Sequence, residues 1–151
     1  MQSRRDLLTK GTKGAVQIEF VLSFLTIMFV IFGIWELIMV VYTMSVLSDA
    51  AKEGVRYAIV HGSNSSLCSG PNPSNPCASD PAGDVVVNTV KAYAKASLHN
   101  TDAISVTVSY PDGNNDPPSR VTVTVRYSYV PYINLPFTPT MTTKAAGRIV
   151  N

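Results

Sequence analysis

The chain has few of the side chains on which catalysis and metal binding depend. Its 151 residues include two cysteines and two histidines, little material for a metal site. Cys68 and Cys77 have a spacing that matches no zinc motif, and no histidine is placed to complete one. No cysteine lies near the start, which excludes a lipoprotein anchor. There is no G-x-S-x-G, no paired-histidine motif and no phosphate-binding glycine loop, and the distal part has no close carboxylate pair. We therefore expect neither an enzyme nor a bound cofactor or metal. A net charge of +2 leaves no nucleic-acid footprint in the whole-chain balance. Charge is scarcest between Phe20 and Leu47, where twenty-eight residues carry one formal charge, Glu36.

That apolar run exceeds the roughly 18 to 20 residues that read as a membrane-spanning helix. At about 1.5 Å per residue it crosses a hydrocarbon core about 30 Å thick. A helix is also the form in which such a segment satisfies its backbone polar groups inside lipid. Before the run, Arg4, Arg5, Lys10 and Lys13 stand against a single Asp6. Such a cationic patch keeps the N-terminus cytoplasmic and sends the downstream chain across the membrane. A secretory signal would have an apolar stretch of about 7 to 15 residues and a small-residue cleavage site after it. This run is too long, and no such site comes promptly after it. An uncleaved single-pass anchor carrying a periplasmic binding or sensor module stays open as the alternative.

Glu19 sits at the edge of the run. A charge at the centre of a spanning helix costs about 2.5–3.5 kcal/mol on insertion scales, and less at the edge, so alone it reads as an interfacial charge. Its place relative to Gly14 adds meaning. The basic leader, Gly14, four residues, Glu19, Phe20 and the long apolar helix together resemble a class III signal peptide of the type IV prepilins. The resemblance implies that a prepilin peptidase of the membrane cuts between Gly14 and Ala15. Ala15 becomes the first mature residue, often N-methylated, and Glu19 the fifth. It also implies that Glu19 and Phe20 set the assembly register. A carboxylate buried among packed helices needs a partner, and the new α-amine of a neighbouring subunit has the right sign.

From Leu47 to Val60 the helical pattern continues with a different character. Leu47, Ala50, Ala51, Gly54, Val55, Ala58 and Ile59 form one apolar stripe, while Asp49, Lys52, Glu53 and Arg56 fall largely on the other face. We read one helix from about Ala15 to Val60, about 70 Å long, spanning the membrane over 20–47 and amphipathic over 48–60. His61 and Gly62 end it. The segment from Ala50 to Ala58, AAKEGVRYA, resembles the post-membrane signature of the TadE-like pilus assembly proteins.

Ser63 to Gly83 is a loop rich in Ser, Asn, Pro and Gly. If the domain is exported, Cys68 and Cys77 read as a disulfide, which in the chain-entropy model contributes roughly 2.5 to 3 kcal/mol for so short a loop; in a reducing compartment they would be free thiols. Asp80 and Pro81 give a helix start, with the helix running to about Leu98 and closed by His99 and Asn100. Val86, Val90, Tyr93, Ala94 and Ser97 track one side of it. Neither His61 nor His99 is assigned a ligand or catalytic role.

The remainder is β. Ile104, Val106, Val108 and Tyr110 alternate with Ser and Thr, as do Val121, Val123, Val125, Tyr127 and Tyr129 with Thr122, Thr124, Arg126 and Ser128. The two strands pair as a hairpin through residues 111–119, and a third strand runs from Thr140 to Val150. Asp112, Asn114 and Asp116 begin with calcium-loop spacing, but Pro117 replaces the glycine and Val123 the closing glutamate, so calcium is rejected.

The expected class is α+β: a long N-terminal assembly helix packed on a small antiparallel sheet, pilin-like in order. The organisation is a leader (1–14), a long helix (15–62) and an exported domain (63–151). The resemblance implies a minor pilin of a Tad-type type IV pilus, placed in the inner membrane with its C-terminal domain periplasmic, and extracellular once in a filament. Its partners would be the membrane, the prepilin peptidase and other pilin-like subunits or copies of itself, with no nucleic acid.

Overall fold

The computed structural model describes residues 2–74, 77, 79–98, 100–133 and 138–151, with side chains from Gly14 onward. Among these residues the elements are helix α1 (Gln2–Val60), helix α2 (Asp84–Lys95) and strands β1 (Ile104–Ser109), β2 (Arg120–Ser128) and β3 (Thr140–Arg148). The class is α+β, with a long apolar N-terminal helix and a small antiparallel sheet. The chain divides into two units, residues 1–39 and 40–151.

In the first unit α1 begins at Gln2 rather than near Ala15. No proline interrupts the leader, and a helix already nucleated adds residues cheaply. Apolar side chains here face outward on every side. Val16, Phe24, Leu25, Phe29, Trp35 and Leu37 are each more than half exposed, and at 100° per residue they point all round the axis.

The second unit buries the stripe that the sequence predicts on the end of α1. Leu47, Ala50, Ala51 and Ala58 are fully buried and Val55 nearly so, while Ile59 is only half-buried. The sheet is ordered β1-β2-β3 and antiparallel throughout. Val106 faces Val125 and Val108 faces Val123 across the first pair; Val121 faces Gly147 and Tyr127 faces Met141 across the second. Period-two alternation sends Val121, Val123 and Val125 to one face, where all three are fully buried.

Two glycines let the layers approach. A Cβ on Gly54 would strike the Val90 side chain of α2 and touch Val123 and Val86. One on Gly147 would meet Ile59 and Val55 of α1. Val90 is β-branched and stiff in a helix, so it cannot swing aside. Gly54→Val therefore forces α1 and α2 apart and lowers stability by about 2 kcal/mol, read from chemical denaturation of the full chain in detergent micelles.

Helix α2 is shorter than the sequence predicts, Asp84–Lys95 instead of about 81–98. Its N-cap is Gly83, in a left-handed conformation at φ 78°, which suits glycine. Asp80 still serves the helix from outside: its carboxylate accepts the backbone N–H groups of Asp84 (2.7 Å) and Val85 (3.0 Å). Its inner side is Val86, Val90 and Ala94. Tyr93 and Ser97, assigned to that side, are exposed, because Tyr93 lies about 100° from Ala94 and Ser97 falls beyond the last helical residue. His99 lies outside the described residues.

The C-terminus returns to the end of α1. The Val150 N–H donates to the Ile59 carbonyl at 3.1 Å and the Asn151 amide to the Val60 carbonyl at 3.3 Å. Helix carbonyls that lack an internal partner are thereby satisfied.

Candidate processing and assembly site

Gly14, Ala15, Glu19 and Phe20 all lie on α1 and are exposed. A Cβ on Gly14 would meet nothing within 4 Å. The missing side chain leaves a shallow, open, apolar dent lined by Gly14, Gln17, Ile18, Val21 and Leu22. Glu19 enters no ion pair among the described residues. One turn on, the Phe20 and Phe24 rings stack with centroids 6.5 Å apart. Within the apolar run the Thr26 hydroxyl donates to the Leu22 carbonyl at 2.9 Å, so the helix itself satisfies it, as lipid requires. Among the described residues this is the one helix long and apolar enough to cross a membrane.

Beyond Val60 the chain is tied down by polar contacts that pattern reading missed. Cys68 and Cys77 form a disulfide, their Cα atoms 5.6 Å apart. Next to it, Ser69, Asn72, Asp80 and Asn115 are all buried. The Ser69 hydroxyl donates to Asp80 at 2.6 Å, and the Asn115 amide donates to the Ser69 carbonyl at 3.1 Å. Asn72 donates to Asn115 at 3.0 Å and to Asp116 at 2.8 Å. Tyr110 lies over Gly70, whose φ is 108° and whose Cβ, if present, would strike the phenol ring. Burial pushes the Tyr110 hydroxyl pKa up, against the hydrogen bond it shares with Ser69. A polar residue can enter a core where such partners meet it, and nothing in the local sequence announces that they will.

The residues spaced like a calcium loop are engaged with neighbours. Asp112 pairs with Arg120 at 2.7 Å and also accepts the Arg120 backbone N–H at 2.8 Å. Asn114 accepts from the Ser119 hydroxyl, and Asp116 from Asn72. Among the described residues no group of three or more His, Cys, Asp or Glu is placed to hold a metal. His61 stacks on Tyr57 at 4.0 Å, with Nδ1 2.9 Å from the Tyr57 carbonyl.

Hydrogen bonds from Arg120 lower the Asp112 pKa from 3.8 to about 2. A carboxyl depressed in the folded state adds stability above its unfolded pKa and loses it as pH falls through the folded one. Thermal stability should therefore drop from about pH 4 toward pH 2, and Asp112→Asn should flatten that part of the profile. Melting curves across that range check this.

A family model described as TadE-like protein matches residues 14–56. Over that stretch the chain is similar to TadE-like proteins. The matched TadE-like segment holds Gly14, Glu19, the whole apolar run and most of the buried stripe against the sheet. The match coincides with the helix that is long and apolar enough to cross a membrane. No curated protein and no solved structure matches the chain.

Proposed function

We propose that the protein is a prepilin-like minor subunit of a Tad-type type IV pilus. It enters the inner membrane with residues 1–14 in the cytoplasm, residues 20–47 of α1 across the bilayer and residues 63–151 in the periplasm. A prepilin peptidase then removes the leader between Gly14 and Ala15. One observation carries the reading: a TadE-like helix whose apolar side chains are exposed all round its axis. Outside lipid such a surface must find another apolar surface, and the same helix in sister subunits supplies it. Glu19 is exposed on that helix near the new terminus, where the α-amine of Ala15 in a neighbour would pair with it and choose the axial alignment.

The test is Glu19→Ala. The variant should insert and be trimmed like the native chain, since removing a charge from a spanning helix favours insertion, yet its recovery in sheared filament fractions should fall at least about tenfold. Normal incorporation of Glu19→Ala would refute the register role. A native protein that stays a solitary bilayer resident would refute assembly itself.

A further inference from the structure

The three strands carry Arg120, Arg126, Lys144 and Arg148 and no acidic residue. Alternation places all four on the sheet face opposite Val121, Val123 and Val125, and all four are exposed. Arg120 is taken up by Asp112, and Arg148 lies close enough to help depress that carboxyl. Arg126 and Lys144 enter no ion pair among the described residues.

The register sets these cations in a bed of hydroxyls. One row across the sheet reads Ser105, Arg126, Thr142, and the next reads Thr107, Thr124, Lys144. Arg126 and Lys144 are diagonal neighbours, about 7–8 Å apart, and Arg148 lies about 13 Å along β3 from Lys144. Cations that only protect a sheet from edge pairing belong on edge strands; Arg126 stands on the central one.

We propose that this face binds an acidic polysaccharide, a chain of carboxylated sugars. The spaced cations complement its carboxylates, and the serine and threonine hydroxyls meet its hydroxyls. Nucleic acid fits less well: neither row has an aromatic side chain for bases to stack on. The proposal rests on the pilin reading only for where the polymer is met, at the cell surface. The binding chemistry belongs to the purified chain and can fail or succeed apart from cleavage or assembly.

The experiment measures binding of the full chain in non-ionic detergent micelles to polygalacturonate, dextran and duplex DNA. Polygalacturonate should bind best, and raising salt from about 0.1 M to about 1 M, which cuts the screening length from about 10 Å to about 3 Å, should weaken it more than about tenfold. The triple change Arg126→Gln, Lys144→Gln, Arg148→Gln should cost about tenfold in affinity, while Lys91→Gln with Lys95→Gln on α2 stays within about twofold. Arg126→Lys with Arg148→Lys, which keeps the charge, should retain binding. Equal binding of dextran, tighter binding of DNA, salt-insensitive binding or an unaffected triple variant would each overturn the proposal.

Discussion

Chains carrying Gly14→Arg are expected to reach the membrane with the leader attached, whereas the native chain ends up starting at Ala15 in cells that contain a prepilin peptidase. A Cβ at this position meets nothing within 4 Å, so the substitution leaves the chain's own packing untouched. Arginine is a better helix former than glycine, so α1 is not weakened. It also adds a positive charge to a leader that already holds Arg4, Arg5, Lys10 and Lys13, which strengthens rather than reverses the topology. What remains is the fit of this residue to the proposed peptidase, where bulk beside the scissile bond would exclude the productive geometry. The expected loss of mature product is nearly complete. Intact mass of the purified protein reads it directly. Native material that still begins at Met1, or Gly14→Arg trimmed as efficiently as the native chain, would remove cleavage from the account.

The largest effect on stability is expected from Asp80→Ala. The Asp80 carboxylate is 5% exposed and accepts three hydrogen bonds, from the Ser69 hydroxyl and the backbone N–H groups of Asp84 and Val85. Alanine leaves a buried hydroxyl and two helix-terminal donors unpaired, at about 1–3 kcal/mol for each group that cannot reach water. Part of this is regained by water at the helix end, so the net cost is about 3 kcal/mol, or about 10 °C in melting temperature. Asp80→Asn, which keeps one acceptor oxygen, should recover part of it. Thermal melts of the full chain in micelles give the first number, and hydrogen exchange in α2 shows whether the loss begins there. Melting of Asp80→Ala within about 1 °C of the native protein would show that Asp80 does not anchor the helix.

The same residue marks how far pattern reading reaches. Asp80 was legible as the residue that starts α2, but three residues too early, because Pro81, Ala82 and Gly83 form a turn before the helix and the carboxylate caps across it. The stripe from Leu47 to Ala58 was legible because a helix packed on one side repeats every 3.6 residues, and the strands because a sheet covered on one face repeats every two. Tyr93 was misassigned because a short helix touched on a narrow face buries little beyond the centre of its stripe. Gly54 stood in the right stripe with no sign that it is the point of closest approach to Val90.

Local periodicity and the nearly uncharged run settled the chain's class: a helix apolar enough to span a bilayer, a hairpin and a third strand. These arise from backbone geometry and the cost of unpaired polar groups, which act within a few residues. The knot of Ser69, Asn72, Asp80 and Asn115, the Gly54 crossing and the one-signed face of the sheet come from segments far apart in the chain. Only folding could decide them, because burial and hydrogen bonding depend on what a side chain meets in space.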